Sequence, residues 1–327
     1  MPDSTIFILV ILLAVGFAVI NGFNDAANAI ATVVGTRVLS PLRAVIMAAI
    51  FNFAGAATGF AVAEFIGTKI IDPEVFIQGY DILIAALAAV IIWGLIATRL
   101  GLPVSISHSF IAGLVGSGVA IGGFDAIIWS GPYKALSAAA IAPALGFAGG
   151  LSLMVALMWL LRRRAPLRVE GVFSRLQILS AAFMAYAHGK NDGQMPMAIM
   201  AIAAMIHTTG AAFHIETWML ILSATAISLG TAFGGWRVIR TVGIRITALR
   251  PVHGFAAMGS AATVVEVASA FGIPVSTTHC VSSSIMGVGA TKRLSAVRWG
   301  IAGNIVLAWI LTFPICGIIG WLLGSLI

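Results

Sequence analysis

Charged residues are scarce in this sequence: Asp, Glu, Lys and Arg together make up 9% of its 327 residues. Soluble domains carry about a quarter charged residues, so this scarcity excludes an ordinary soluble chain. Hydrophobic residues make up 60%, and the mean hydropathy is +1.08. Several apolar runs approach the about 20 residues that a membrane-spanning helix needs, among them 6–19, 82–97 and 299–327. The bilayer is therefore the expected solvent of this chain.

Cysteine is scarce as well, and both cysteines, Cys280 and Cys316, lie in apolar or small-residue segments. Their placement argues against a disulfide framework and against a cysteine metal site. The apolar runs also lack the period-2 alternation of a membrane barrel strand. We therefore expect an all-α integral membrane protein with about ten membrane segments, some of them broken helices or re-entrant hairpins.

The net charge of +7 comes from Lys and Arg residues that are spread over short gaps between the apolar runs. This spread argues against a nucleic-acid partner and fits the positive-inside rule of membrane proteins. If the Arg-rich stretch 162–168 is cytoplasmic, the acidic gap 64–81 faces outward, and both termini are external. We expect a multi-pass protein of the cell (cytoplasmic) membrane, surrounded by lipid. Its first apolar run is expected to be retained, because no basic residue precedes it.

Two polar motifs occur twice, in the same order. The segment 24–28 (Asn-Asp-Ala-Ala-Asn) is echoed 167 residues later by 191–194 (Asn-Asp-Gly-Gln). The segment 103–108 (Pro-Val-Ser-Ile-Ser-His) is echoed 171 residues later by 274–279 (Pro-Val-Ser-Thr-Thr-His). Two unrelated motifs that recur with nearly the same offset indicate an internal duplication.

The duplication divides the chain. We expect a first membrane repeat over 1–161, a basic cytoplasmic connector over 162–171 and a second membrane repeat over 172–327. The charge pattern requires an odd number of crossings in each half, about five. An odd number inverts the second repeat relative to the first, which is the architecture of many secondary transporters.

The carboxylates of the first motif, Asp25 and Asp192, lie at expected membrane depth, where an ionisable residue needs a partner or a function. Gly22 permits the first helix to break there and expose its carbonyl oxygens. Such oxygens suit a small cation, although helix capping at the membrane surface is an alternative. Glu266 is a further carboxylate in an apolar segment, and pairing with a lysine is its simpler role. The candidate ligands of a coupling cation are Asn24, Asp25, Asn28, Asn191, Asp192 and Glu266.

The second motif places a proline at the start of a helical stretch and hydroxyl residues directly after it. Backbone N–H groups and hydroxyls at such a helix start bind an anion such as phosphate, although an ordinary N-cap is an alternative. Four roles stay open for His108 and His279: a proton relay, a hydrogen-bond donor to phosphate, an interior histidine, or the base that activates a serine in an intramembrane hydrolase. The candidate substrate-binding residues are Ser105, Ser107, His108, Ser276, Thr277, Thr278 and His279.

On these residues the sequence resembles the inorganic phosphate transporter family often called Pit, whose members carry two copies of Gly-x-Asn-Asp-x-x-Asn and of Pro-Val-Ser-x-x-His. The likeness spans about residues 21–298. It implies a symporter that takes up phosphate with H⁺ or Na⁺, with no enzymatic activity and no cofactor besides that ion. It also implies inverted repeats, with phosphate at the two hydroxyl-rich helix starts. The paired Asn-Asp motifs would hold the cation, with Na⁺ possible at Asp25 and Asp192.

The chain departs from the family pattern at two places. Asn52 stands where sodium-coupled animal members have a glutamate, while the second repeat keeps Glu266, so H⁺ and Na⁺ both stay open as coupling ions. The second Asn-Asp motif lacks an asparagine matching Asn28, so the two halves are not expected to be equivalent ion sites. Sulfate or a metal-phosphate complex is an alternative cargo, and a homodimer is a further expected assembly.

Overall fold

The computed structural model describes residues 3–208 and 212–327, and the regular structure in these ranges is helical. One isolated bridge, between Ile71 and Ile127, is the only β-type pairing within them. The expected all-α fold is therefore confirmed. The helices of the first half are α1 (Asp3–Gly35), α2 (Pro41–Ala56), α3 (Ala61–Lys69), α4 (Pro73–Phe76), α5 (Asp81–Leu100), α6 (Ile106–Gly122) and α7 (Ser130–Leu161).

The described residues of the second half also form seven α-helices. Its helices are α8 (Pro166–Asp192), α9 (Gln194–His207), α10 (Thr217–Phe233), α11 (Trp236–Arg240), α12 (Pro251–Ala270), α13 (Thr277–Ala290) and α14 (Trp299–Gly324). A short 3-10 turn precedes the last helix of each half, at Phe124–Ala126 and Leu294–Ala296, and a π-helical turn, Thr241–Arg245, continues α11.

Local sequence explains where several helices begin. A proline occupies the first turn of α2, α8 and α12, where a backbone N–H would have no partner in the helix. Ser105 and Ser276 are the N-caps of α6 and α13, and each Oγ accepts a hydrogen bond from a backbone N–H three residues later. The second polar motif therefore forms a capped helix start in both halves.

The described residues include four helices that are long and apolar enough to cross a bilayer: 4–35, 81–100, 130–161 and 299–324. Two pairs of helices are bent at a short break, α2 with α3 by 63° and α10 with α11 and its π-helical turn by 62°, which raises the number to at most six. A bent pair of this kind is either a broken span or a re-entrant hairpin, the two features that the sequence predicts. The count of about ten segments stays a prediction.

Two large apolar clusters form most of the core, beside a small third cluster of Ala56, Met197 and Ala224. One is built mainly from α5, α6 and α9, and the other from α8, α12 and α13. Helix α1 contributes to both, since Phe17 belongs to the first cluster and Ala26 to the second. The Asn-Asp motif of α1 therefore lies where the two apolar clusters adjoin.

The break of the first helix that Gly22 permits does not occur, and α1 runs unbroken from Asp3 to Gly35. A Cβ atom built on Gly22 would lie 2.0 Å from the carbonyl oxygen of Ile227 on α10. The glycine therefore serves close contact between two helices. Small residues let membrane helices pack at short distance, so the same residue fits two interpretations until its neighbour is known.

Glycines mark equivalent contacts in the two halves. Helix α1 packs on α10 as α8 packs on α2, and α6 packs on α14 as α13 packs on α7. In each contact, a Cβ built on the glycine would lie 2.0 to 2.1 Å from a carbonyl oxygen of the facing helix: Gly22 facing Ile227, Gly189 facing Asn52, Gly116 facing Gly317, and Gly287 facing Phe147.

We expect Gly22→Ala to destabilise the protein, because the added methyl group would overlap a backbone atom that cannot rotate away. The effect should lie at the upper end of the about 1–3 kcal/mol typical of overpacking. The melting temperature in detergent measures it. Gly259→Ala on α12 is the control, since a Cβ there meets nothing within 4 Å and should leave the melting temperature unchanged or raised. Equal melting temperatures for Gly22→Ala and the parent protein would contradict the close contact.

Candidate functional site

The two Asn-Asp motifs meet inside the protein. Asp25 on α1 and Asp192 at the end of α8 are buried, with 2% and 0% of their surfaces exposed. His188 lies between them, with Nε2 3.7 Å from Asp25 Oδ2 and 3.2 Å from Asp192 Oδ2. One possible ligand atom of each of the three side chains lies within 4.8 Å of the others. This spacing suits a cation bound by two carboxylates.

The two hydroxyl motifs reach the same carboxylates. Ser107, in the first turn of α6, donates to Asp192 Oδ1 at 2.5 Å, and Thr277, the first residue of α13, donates to Oδ2 at 3.0 Å. Thr278 donates to Asp25 Oδ1 at 2.7 Å. Because the first turns of α6 and α13 bond one carboxylate, their N-terminal ends converge. Helix N-termini carry unpaired N–H groups and a partial positive charge, so their meeting point favours an anion.

Asn28 links the first half of the chain to the second. Its Nδ2 atom donates to Thr277 Oγ1 at 3.1 Å and to Thr278 Oγ1 at 2.9 Å. Its Oδ1 atom is buried and has no hydrogen-bond partner among the described residues. A buried amide oxygen without a donor is costly, and it is a suitable ligand for a cation.

Asn24 and Asn191 hold equivalent places in the two motifs. Asn24 Nδ2 donates to Thr98 Oγ1 near the end of α5 at 2.7 Å, and Asn191 Oδ1 accepts from Ser269 Oγ near the end of α12 at 3.1 Å. Asn191 Nδ2 also donates to Asp192 Oδ1 at 2.9 Å. Both asparagines therefore anchor their motifs to a neighbouring helix, and Asn191 also orients a carboxylate.

Ser105 and Ser276 serve as N-caps, as described for α6 and α13. In the cap each Oγ atom is the acceptor, at 3.2 Å from the N–H of His108 and 3.1 Å from the N–H of His279. A hydroxyl that accepts one hydrogen bond still has its own hydrogen to donate. The capping interpretation and the anion-donor interpretation are therefore compatible for these two serines.

His108 and His279 lie together behind the hydroxyls, with ring centroids 5.3 Å apart. They pack against α14, His108 on Phe313 at 5.2 Å and His279 on Trp309 at 4.1 Å between centroids. Neither ring nitrogen of His108 has a hydrogen-bond partner among the described residues, and Nδ1 of His279 lies 3.4 Å from the Ala139 carbonyl oxygen. The structure brings the two histidines together, and neither hydrogen-bonds a carboxylate among the residues that the structure describes.

Glu266 stands apart from the other predicted cation ligands. It is partly exposed and forms an ion pair with Lys190, the simpler of the two roles that the sequence offers. It lies on α12, whereas Asn52 lies on α2 and contacts His188 and Thr231, so the two side chains have different surroundings.

Sequence reasoning missed His188 and the structural role of Asn52. His188 Nδ1 lies 2.8 Å from Asn52 Oδ1, and Asn52 Nδ2 donates to Thr231 Oγ1 at 2.8 Å. Asn52 Oδ1 must then accept from the N–H of His188, which leaves Nε2 directed at the two carboxylates. The available signal was spacing, because residues four apart on a helix share a face, and His188 precedes Asp192 by four.

Comparisons with known proteins find similarity to phosphate transporters. A sequence profile described as the phosphate transporter family matches residues 21–320. A protein of Rhizobium meliloti named probable low-affinity inorganic phosphate transporter is 44% identical over 311 residues, covering 94% of this chain and 92% of that protein. A Bacillus subtilis protein of the same name is 40% identical over 316 residues, covering 96% and 94% of the two chains.

A solved structure described as the sodium-dependent phosphate transporter has the same fold. It superposes with a TM-score of 0.91 at 28% sequence identity, and the match covers 98% of each chain. The likeness extends over the whole helical arrangement and includes the elements that carry both polar motifs.

Proposed function

The chain belongs to the phosphate transporter family, and from that premise we propose that it is a secondary transporter that carries inorganic phosphate across the cell membrane together with a cation. The observation that carries the proposal is the meeting of two helix N-termini at a pair of buried carboxylates. Hydroxyls of Ser107 and Thr277, from opposite halves of the chain, bond the same Asp192 side chain.

The geometry supports a coupling mechanism. Phosphate and the carboxylates carry charge of the same sign, and their repulsion is strong in a buried, low-dielectric site. A cation at the cluster of Asp25, His188 and Asp192 would offset that repulsion. It would also occupy carboxylate oxygens, so that the hydroxyls of Ser107, Thr277 and Thr278 can turn toward the anion. Each ion then raises the affinity for the other by the same factor, which is what coupling requires.

We propose the following ligand sets. The phosphate oxygens accept hydrogen bonds from the first turns of α6 and α13, through Ser105, Ser107, His108, Ser276, Thr277, Thr278 and His279. The cation is held by Asp25, Asp192 and Asn28, with Asn24 and Asn191 orienting the motifs. His188 joins this set as the side chain between the carboxylates. Glu266 is left out, because its partner is Lys190.

The coupling ion is either Na⁺ or H⁺. The similar solved structure is described as sodium-dependent, and two carboxylates beside an amide oxygen suit Na⁺ at Asp25 and Asp192. Asn52 in place of a carboxylate removes one acidic ligand from the neighbourhood and favours H⁺. Separate gradients of the two ions distinguish these cases.

Alternating access by two inverted repeats is the proposed transport mode. The order of the helices, the paired glycine contacts and the equivalent hydrogen bonds of Asn24 and Asn191 support a duplication with repeats over 1–161 and 172–327. We propose about ten membrane segments, with the connector 162–171 cytoplasmic and both termini external.

A cysteine at position 165 tests this topology. Ala165 is exposed between α7 and α8. In Ala165→Cys, an impermeant thiol reagent is expected to label inverted vesicles and not intact cells. The native Cys280 and Cys316 are buried and give the unlabelled background in the parent protein. Labelling of intact cells at position 165 would reverse the proposed orientation.

Sulfate or a metal-phosphate complex is the alternative cargo, since each presents oxygens that the same donors could bind. Uptake of labelled phosphate and labelled sulfate under the same gradient distinguishes phosphate from sulfate. The intramembrane hydrolase is set aside, because the family and the named relatives are transporters.

Proteoliposomes containing the purified protein test the proposal. Radiolabelled phosphate and sulfate are offered under an imposed Na⁺ gradient and, separately, an H⁺ gradient. We expect phosphate to accumulate above its external concentration under one of the gradients. Equilibration without accumulation under both gradients would indicate a channel and refute symport.

A further inference from the structure

A basic cavity lies where α7 ends, α8 and α12 begin, and the loop after α13 passes, and no residue of the two polar motifs lines it. Its volume is about 670 Å³, within the range of about 300–1,000 Å³ typical of small-molecule sites. Part of its wall is apolar and part is basic. Met154 and Leu157 of α7 contribute to an apolar wall, and the basic side chains are Arg162, Arg164, Arg250 and Lys292.

The basic side chains of this cavity outnumber its one carboxylate, that of Glu170. Among the described residues none of its four basic side chains forms an ion pair, although Glu170 lines the same cavity. Partial burial, together with the positive charge of Arg250, lowers the pKa of Lys292 from its usual value. Lys292 Nζ donates a hydrogen bond to the Ala248 carbonyl oxygen at 2.9 Å. Cations crowded in this way gain from an anion placed between them.

The surroundings of the cavity fit a position at the level of a membrane surface. Its apolar wall is the last part of the candidate span 130–161. Next to it, the start of α8 exposes Leu167 by 86% beside Arg168, and Val172 one turn later is also exposed. Exposed apolar residues among arginines are typical of a helix that lies at the boundary between headgroups and acyl chains.

We propose that this cavity binds an anionic phospholipid. The phosphate group lies among Arg164, Arg250 and Lys292, and an acyl chain lies along the wall formed by Met154 and Leu157. A free oxyanion would use the basic side chains and leave the apolar wall in contact with water. A zwitterionic lipid would use the wall and bring its own cation close to the basic side chains. An anionic lipid matches both parts of the cavity.

Native mass spectrometry of the delipidated full-length protein tests the site. Phosphatidylglycerol and phosphatidylcholine with identical acyl chains are titrated separately, and bound lipid is counted. Because each basic residue near an anionic headgroup changes affinity about fivefold, Arg250→Gln with Lys292→Gln should weaken phosphatidylglycerol binding about thirtyfold. The matched control, Arg43→Gln with Arg240→Gln, removes two exposed charges outside the cavity and should bind like the parent protein.

Three results would overturn the proposal: equal affinity in the two double variants, phosphatidylcholine binding as tight as that of phosphatidylglycerol, or displacement of phosphatidylglycerol by inorganic phosphate alone. The last result would mark a site for a free oxyanion. Melting temperatures show whether the variants fold. If the cavity double variant does not fold, Lys292→Gln alone replaces it, because Lys292 is exposed, and an about fivefold loss is expected. Unchanged binding by that folded single variant would equally refute the proposal.

Discussion

Asp192→Asn is expected to abolish concentrative phosphate uptake, and Asp25→Asn is expected to do the same. Asp192 accepts hydrogen bonds from Ser107, Asn191 and Thr277 and lies 3.2 Å from His188 Nε2. Asparagine would replace one acceptor oxygen by a donor that faces other donors, and would remove the charge that holds the cation. Losing one charge-assisted interaction of about 3 kcal/mol corresponds to about a hundredfold or more in transport efficiency.

Uptake of radiolabelled phosphate into proteoliposomes under an imposed cation gradient measures this effect. Asp125→Asn is the control, because Asp125 is an exposed carboxylate in the connection between α6 and α7. It should accumulate phosphate like the parent protein. Gradient-driven accumulation at the parent level in both Asp25→Asn and Asp192→Asn would refute the role of the carboxylate pair.

Removing one hydroxyl from each half of the chain is expected to produce the second largest effect. In Ser107→Ala and Thr277→Val, each lost hydroxyl bond to phosphate should weaken binding by about 1.5–3 kcal/mol, or roughly ten- to a hundredfold. Because both hydroxyls are proposed to contact one anion, the double variant should deviate from the sum of the single effects. Phosphate titrations of the purified variants by calorimetry measure the affinities and the coupling.

Ser109→Ala provides the matched control for this cycle. Ser109 lies on α6 two residues after Ser107, and its hydroxyl donates to the Ser105 carbonyl oxygen within the same helix. That oxygen also accepts the backbone N–H of Ser109, so the substitution leaves it bonded. Phosphate affinity should stay near that of the parent protein. Unchanged affinity in Ser107→Ala, Thr277→Val and the double variant would exclude a shared anion site.

Melting temperatures separate binding from capping in the same experiment. Ser105→Ala and Ser276→Ala should each destabilise a helix by about 1 kcal/mol, because both serines are N-caps. The proposal adds a loss of phosphate affinity, since each hydroxyl keeps a hydrogen to donate. A lowered melting temperature with unchanged affinity in both variants would restrict Ser105 and Ser276 to capping.

Composition and local motifs determined much of this protein. The scarcity of charge and the long apolar runs require a bilayer, and a bilayer favours helices that satisfy their own backbone hydrogen bonds. Serines at 105 and 276 signal helix starts, and the structure places capped helices there, although Pro103 and Pro274 lie two residues before the N-caps and not in the first helical turn. These features depend on residues close together in the chain, so they can be read without knowing the neighbouring helices.

Tertiary structure alone decided which of those features act together. The sequence permits a break of α1 at Gly22, and the structure shows instead a close contact of Gly22 with the carbonyl group of Ile227 on another helix. Glu266 was predicted to be a cation ligand, but in the structure it forms an ion pair with Lys190 on α8. His188 belongs to neither sequence motif, and in the structure it lies between two carboxylates that come from different helices. The physical reason is the same in each case: the energy of a buried glycine, carboxylate or imidazole depends on the atoms that face it, and those atoms come from helices brought near only by folding.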